Sequence, residues 1–194
     1  IFLYQKQGDT LVLGAQCASL IRAKYSEKIQ ATVHVVGNED IPDTWTLKIP
    51  GVHNRYNAAL ARAVARTLGL DDTVCRPALE SFTGVPGRLE LIAEKGGVKI
   101  YNDTTATTPE ATLVALDALR QGSGNNLNLI LIVGGADKGL DMSALIARLS
   151  GVKRVLWLAG SGTERVRGET PDMPVYTSLR EAYTAALRAA VSGD

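Results

Sequence analysis

A chain of 194 residues with 45% hydrophobic and 21% charged side chains has the make-up of one globular domain or two small ones, which excludes a disordered segment. Lys and Arg number 21 against 20 Asp and Glu, a formal charge of +1, so no global field favours nucleic acid or an anionic membrane as partner, while a local positive pocket stays compatible with that balance. No apolar run approaches the ~20 residues needed to cross a bilayer, and Cys17 and Cys75, outside any Cys-x-x-Cys or Cys/His cluster, are expected to be reduced thiols of a cytoplasmic protein.

In chain order, Ile1 to Tyr4 is a short apolar run and Thr10 to Leu13 reads as a buried strand ending at Gly14. Ala31 to Val36 is a second strand; its His34 is expected to be structural. Trp45 to Ile49 alternates and predicts a third, stopped by Pro50-Gly51. Helices are predicted from about Tyr56 to Leu68, with Leu60, Val64 and Leu68 on one face, and from about Thr73 to Ser81. Between strand and helix lies Gly51-Val-His-Asn-Arg-Tyr-Asn57. Asn54 and Asn57 are three apart, so their carboxamides can cap the helix or read a purine edge.

Val85-Pro-Gly87 is the strongest boundary signal and divides the chain into 1–86 and 87–194. Past it stands Gly87-Arg-Leu-Glu90, where Arg88 is either a solvated charge or, with its planar fork, a holder of phosphate. Leu89 to Ala93 and Val98 to Tyr101, joined by Glu94-Lys-Gly-Gly97, predict a hairpin. Helices then alternate with strands: Pro109 to Arg120 capped by Thr108, Leu127 to Val133, Met142 to Leu149, Val155 to Leu158, Thr163 to Arg167, Val175-Tyr176, and a helix to Val191 opened by the capping box Ser178-Leu-Arg-Glu181. That alternation, with apolar rather than alternating strands, predicts an α/β fold: a Rossmann-like, mostly parallel, doubly wound sheet preceded by the tail of another α/β domain.

Such sheets bind ligands beyond the carboxyl ends of their strands. The loops after Tyr101, Val133 and Leu158 are expected there, and all three carry polar groups. Asn102-Asp-Thr-Thr-Ala-Thr-Thr108 precedes a helix N-terminus and is either a Thr-rich capping loop or an anion site in which Asp103 accepts ribose hydroxyls. Gly134-Gly-Ala-Asp-Lys138 allows close backbone approach and brings a cation whose natural partner is a carboxylate or phosphate. Gly160-Ser-Gly162 is the third. Neither a Walker A loop nor a Gly-x-Gly-x-x-Gly fingerprint occurs.

The order and spacing of His53-Asn-Arg-Tyr-Asn57, Gly87-Arg-Leu-Glu90, Tyr101-Asn-Asp-Thr-Thr-Ala-Thr-Thr-Pro-Glu-Ala-Thr112 and Gly134-Gly-Ala-Asp-Lys-Gly139 together resemble the Mur ligase family, nearest to its D-glutamate-adding members. The resemblance implies that 1–86 is the end of the central ATP-binding domain and 87–194 most of the C-terminal domain. It implies an ADP-forming amide ligase of peptidoglycan synthesis: a carboxylate of a UDP-muramoyl precursor attacks the γ-phosphate of ATP, and the resulting acyl phosphate is captured by the amine of D-glutamate, with Mg²⁺ bridging phosphates; the alternatives are another Mur or folylpolyglutamate-synthetase-like amide ligase and a non-catalytic nucleotide-binding module. By the same resemblance Asn57 contacts adenine, and His53 and Asn54 shape that pocket. Arg88 holds ATP phosphate across the domain junction and Asp103 binds the ribose. Thr107 and Lys138 receive the amino-acid carboxylates, and Thr105 stands where the family often has a substrate-facing Lys, whose charge a hydroxyl does not replace. Arg88 and Lys138 are thus the expected catalytic groups. The metal ligands, phosphate-binding loop and N-terminal substrate domain are expected upstream of Ile1 and a last substrate-contacting segment beyond Asp194, so residues 1–194 alone are expected not to turn over ATP. A monomer acting on small molecules, without nucleic acid or membrane as partner, completes the expectation.

Overall fold

The computed structural model describes residues 4–120 and 127–194, which form two compact units, Ile1–Thr83 and Gly84–Asp194. The apolar run expected at Ile1 to Leu3 lies outside the described residues.

In the first unit, β1 (Thr10–Gly14) and β2 (Thr32–Val36) pair in parallel, in register from Thr10 opposite Thr32 to Gly14 opposite Val36. Parallel neighbours need a crossover, and α1 (Ala15–Tyr25) supplies it. The sequence assigned no element to α1 because it lacks an apolar stripe: it buries only Ala18 and leaves Leu20 65% exposed. Next come α2 (Val52–Thr67) and α3 (Asp72–Ser81). The core joins Val36, Ile41 and Trp45 to Ala58 and Ala59 of α2 and Cys75 of α3.

Three expectations fail here. Trp45 to Ile49 forms no strand. Its alternation is real, since Trp45 is buried, but side chains satisfy its backbone in place of a ladder. Arg55 donates to the carbonyls of Trp45, Ile41 and Pro42, and Glu80 accepts the Thr46 N–H at 3.0 Å. Secondly, α2 begins four residues earlier than predicted, after Gly51, whose φ of +97° lies in the left-handed region that favours glycine. Thirdly, Val64 and Leu68 of the expected apolar face are exposed; the buried residues of α2 are Asn54, Ala58 and Ala59, with Leu60 partly covered.

Arg62 of α2 binds Asp72 at the start of α3 through two bonds of 2.8 and 2.6 Å and lies 5.3 Å from the Trp45 ring centre. The Arg62 hydrogen bond, with the charges of Arg62 and Arg66, holds the Asp72 carboxyl below the ordinary carboxylate range. A depressed folded-state pKa stabilises the fold above the unfolded value of about 4, and that contribution is lost as pH falls through the lower, folded value. Acid titration of thermal stability is therefore expected to show a loss below about pH 4 that Asp72→Asn reduces; an unchanged profile in the variant would remove Asp72 from the account.

In the second unit, β3 (Glu90–Lys95) and β4 (Val98–Asn102) form the predicted antiparallel hairpin. Gly96 and Gly97 turn it with φ of +61° and +78°, as a two-residue mirror-image turn requires. Then follow α4 (Pro109–Ala118), β5 (Leu127–Gly134), α5 (Ser143–Leu149), β6 (Val152–Leu158), α6 (Ser161–Val166), β7 (Val175–Tyr176) and α7 (Leu179–Ala189). The strands β5, β6 and β7 make a parallel sheet in that order. Central β6 is buried on both faces. Val155 and Trp157 join Leu116 of α4, Leu145 and Leu149 of α5 and Val166 of α6 in one core cluster, while the intervening Leu156 is fully buried on the other face. This is the mixed α/β fold with a parallel sheet that the sequence predicted, with one correction: the strand ending at Tyr101 belongs to the separate hairpin, so the Asn102–Thr108 loop does not leave the parallel sheet.

The N-cap predictions hold at two helices. Thr108 Oγ1 accepts the Ala111 N–H, and Ser178 Oγ accepts that of Glu181. The second half of the Ser178 box does not close, because the Glu181 carboxylate accepts from the Thr177 hydroxyl instead.

Candidate active site

The Arg88 turn and the Asn102–Thr108 loop are sewn together by side chains. Gly87 has φ +75° and Leu89 φ +44°, two left-handed residues flanking Arg88. The Leu89 N–H donates to Asp103 Oδ1 at 2.9 Å, and the Gly87 N–H donates to Glu90 Oε2 at 2.8 Å. The Gly87 carbonyl accepts both the N–H (2.9 Å) and the hydroxyl (2.8 Å) of Thr105. Glu90 and Asn102 meet across the hairpin at 3.3 Å. The turn is fixed while the Arg88 side chain is exposed, with no ion-pair partner among the described residues.

Beyond Thr105 the loop reaches a cleft of about 290 Å³ whose wall includes Thr104, Thr107, Thr108, Gly134, Gly135, Asp137, Lys138 and Trp157. That volume is at the small end of ligand pockets, which run from roughly 300 to 1,000 Å³. Its two rims touch: Lys138 Nζ donates to the Thr107 carbonyl at 3.2 Å. An ammonium has three donors, and the other two remain for an anion. The N-terminus of α4, capped by Thr108 with Pro109 at its first position, adds a favourable dipole at the same place.

Glycines permit the third loop to close on the second. A Cβ on Gly134 would lie 2.5 Å from the Leu158 carbonyl, and one on Gly160 would lie 2.7 Å from the Gly135 carbonyl. The Gly162 N–H in turn donates to the Gly135 carbonyl at 3.0 Å. Trp157 forms part of the wall, and its buried indole N–H has no hydrogen-bond partner among the described residues.

Of the residues singled out by sequence, the structure brings Thr107 and Lys138 together in the cleft and places Arg88, Asp103 and Thr105 in the adjoining turn. Thr105 is absent from the cleft wall and its hydroxyl is committed to Gly87. His53, Asn54 and Asn57 lie in the first turns of α2 in the other unit. Asn54 does not cap the helix N-terminus: it is buried and its amide donates to the Pro50 carbonyl at 2.7 Å, while Asn57 is exposed. Sequence reasoning missed Arg165, Ser161 and Glu90. Ser161 lies in a loop noted for its polar groups and Arg165 in a predicted short helix, but neither was given a role, because their partners are 24 and 28 residues away. Among the described residues no three His, Cys, Asp or Glu side chains gather where a metal ion could be held.

A family described as Mur ligase, glutamate ligase domain, matches residues 87–194. A UDP-N-acetylmuramoylalanine–D-glutamate ligase of a Thermoanaerobacter strain is 34% identical over 170 residues, covering 84% of this chain and 36% of that protein. This chain therefore spans about a third of the length of that relative. Among solved structures, the UDP-N-acetylmuramoylalanyl-D-glutamyl-2,6-diaminopimelate–D-alanyl-D-alanyl ligase of Acinetobacter baumannii superposes with a TM-score of 0.70 at 17% identity, over 97% of this chain and 47% of that one. The bifunctional folylpolyglutamate/dihydrofolate synthase of Yersinia pestis, solved with AMPPNP and a manganese ion, superposes with a TM-score of 0.65 at 18% identity, over 97% of this chain and 49% of that one. Both share the fold.

Proposed function

Because this chain belongs to the Mur ligase family, we propose that it is part of an ATP-dependent ligase that adds D-glutamate to UDP-N-acetylmuramoyl-L-alanine. Its 84–194 unit would bind the incoming amino acid. The observation that carries this reading is the meeting of Lys138 with the Thr107 carbonyl across a small cleft at a helix N-terminus. One cation, a hydroxyl and a helix dipole favour a carboxylate there. The α-ammonium first gives a proton to solvent, and the neutral amine attacks the carbonyl carbon of the acyl phosphate. A new C–N bond forms as the carbon–oxygen bond to phosphate breaks, and the amine proton passes to solvent or phosphate. Arg88, presented on a turn fixed by Asp103, Glu90 and Thr105, would neutralise charge on the transferred phosphoryl group. Asp103 Oδ1 holds the Leu89 N–H, so a ribose contact would use its second oxygen. Asn57 is the exposed carboxamide left to meet an adenine. No step is assigned to a metal held by the described residues.

The test is product analysis in the full-length protein. With ATP and UDP-N-acetylmuramoyl-L-alanine, D-glutamate is expected to support ADP release and a ligated product, while L-glutamate, L-lysine and meso-diaminopimelate support little. Ligation of another amino acid in preference would move the chain to another amide-ligase specificity, and the absence of ADP release with every acceptor would remove the ligase reading.

A further inference from the structure

Lys138 can bind an anion only if its own neighbours leave it a free charge. The adjacent residue is Asp137, on the same loop and in the same cleft wall. Left unpaired, a carboxylate in the wall that Lys138 also lines would oppose an incoming carboxylate and offer the ammonium a rival partner. The structure supplies a partner for Asp137. Arg165 in the last turn of α6 binds Asp137 Oδ1 through Nη1 at 2.7 Å and the Leu140 carbonyl through Nη2. Asp137 is held at two further points: its Oδ1 accepts the Gly139 N–H at 2.9 Å and its own N–H donates to Ser161 Oγ at 2.9 Å; two residues before it, the Gly135 carbonyl accepts the Gly162 N–H at 3.0 Å. The guanidinium therefore grips the loop on both sides of Lys138, at 137 and at 140. It also lies in the field of Asp141, whose carboxyl is held low chiefly by its hydrogen bonds to Ser143 and further by Arg165.

We propose that Arg165 is a positioning and charge-masking residue of the amino-acid site: by pairing with Asp137 it keeps that carboxylate away from Lys138, leaving the ammonium for the substrate. This rests on the reading of the cleft as the acceptor amino-acid site. Arg165 is half-exposed, its side chain 35% accessible beside an Asp137 side chain at 34%, so the effect is that of a screened pair and not of a buried one.

The test uses the full-length protein and two variants. Arg165→Gln removes the charge, and its side chain, two atoms shorter, also gives up the Leu140 carbonyl. It is expected to raise KM for the acceptor amino acid about fivefold and to leave KM for ATP within about twofold. Adding Asp137→Asn, which retains an Oδ1 acceptor for the Gly139 N–H, is expected to bring the amino-acid KM back to within about twofold of wild type. A merely structural strut would not be repaired by removing the opposing charge. The proposal is overturned if Arg165→Gln leaves the amino-acid KM unchanged, if the ATP KM moves instead, or if the double variant is as impaired as the single one. Failure of the cleft assignment itself is read separately from Lys138→Ala: an amino-acid KM unchanged in that variant overturns the assignment, whereas a raised KM there with none in Arg165→Gln overturns only the role of Arg165.

Discussion

Replacing Lys138 by Ala should raise KM for the acceptor amino acid between about tenfold and a hundredfold and leave KM for ATP nearly unchanged. The size follows from the chemistry. A hydrogen bond between charged groups is worth about 1.5–3 kcal/mol, and each 1.4 kcal/mol is tenfold in affinity. The direction follows from position: Lys138 Nζ bridges the cleft to Thr107, within a volume of about 290 Å³. Because the carboxylate is bound in ground and transition states alike, the loss should fall on KM more than on kcat. Steady-state kinetics with each substrate varied in turn separates the two constants. A rise confined to the ATP constant would place Lys138 on the nucleotide instead.

Arg88→Ala should have the opposite signature: a fall in kcat of about 10²–10³-fold, the range seen when one preorganised donor to a developing charge is removed, with the amino-acid KM little altered. The turn that carries Arg88 is strained and over-determined, with φ of +75° at Gly87 and +44° at Leu89, held by Asp103, Glu90 and Thr105. Backbone in such a region persists where its surroundings fix it, and it clusters at functional sites. The Arg88 side chain itself is exposed, so its removal should leave the melting temperature close to wild type. A variant of normal kcat would show that the guanidinium faces solvent throughout the cycle.

What the sequence made legible was the part written in local chemistry. The hairpin was readable because Gly96-Gly97 has a single economical conformation, and α4 because Thr108-Pro109 is a cap followed by a residue pre-set for the first turn. Lys138 was named from the chemistry of its loop and Thr107 from the family resemblance, and the cleft joins them. What stayed hidden was decided by partners distant in sequence. Trp45 to Ile49 has the alternation of a strand, yet Arg55 and Glu80 take its backbone groups. The helix α1 carries no stripe because it buries only one alanine. The Asn102–Thr108 loop was expected to leave the parallel sheet, but β4 pairs only with β3 and not with β5, β6 or β7, a choice of partner that local pattern does not decide, so the loop comes to the cleft from outside that sheet. Thr105, where a lysine was expected by resemblance, donates to a carbonyl that no spacing rule connects to it. Arg165 was invisible because a surface arginine has no sequence signature until its Asp137 is placed 2.7 Å away.

A structure of the full-length protein with D-glutamate and ADP bound is the most direct check. It should show a carboxylate of the amino acid within hydrogen-bonding distance of Lys138 Nζ and the Thr107 hydroxyl. Electron density for the amino acid anywhere else, with Lys138 still joined only to the Thr107 carbonyl, would contradict the assignment of this cleft.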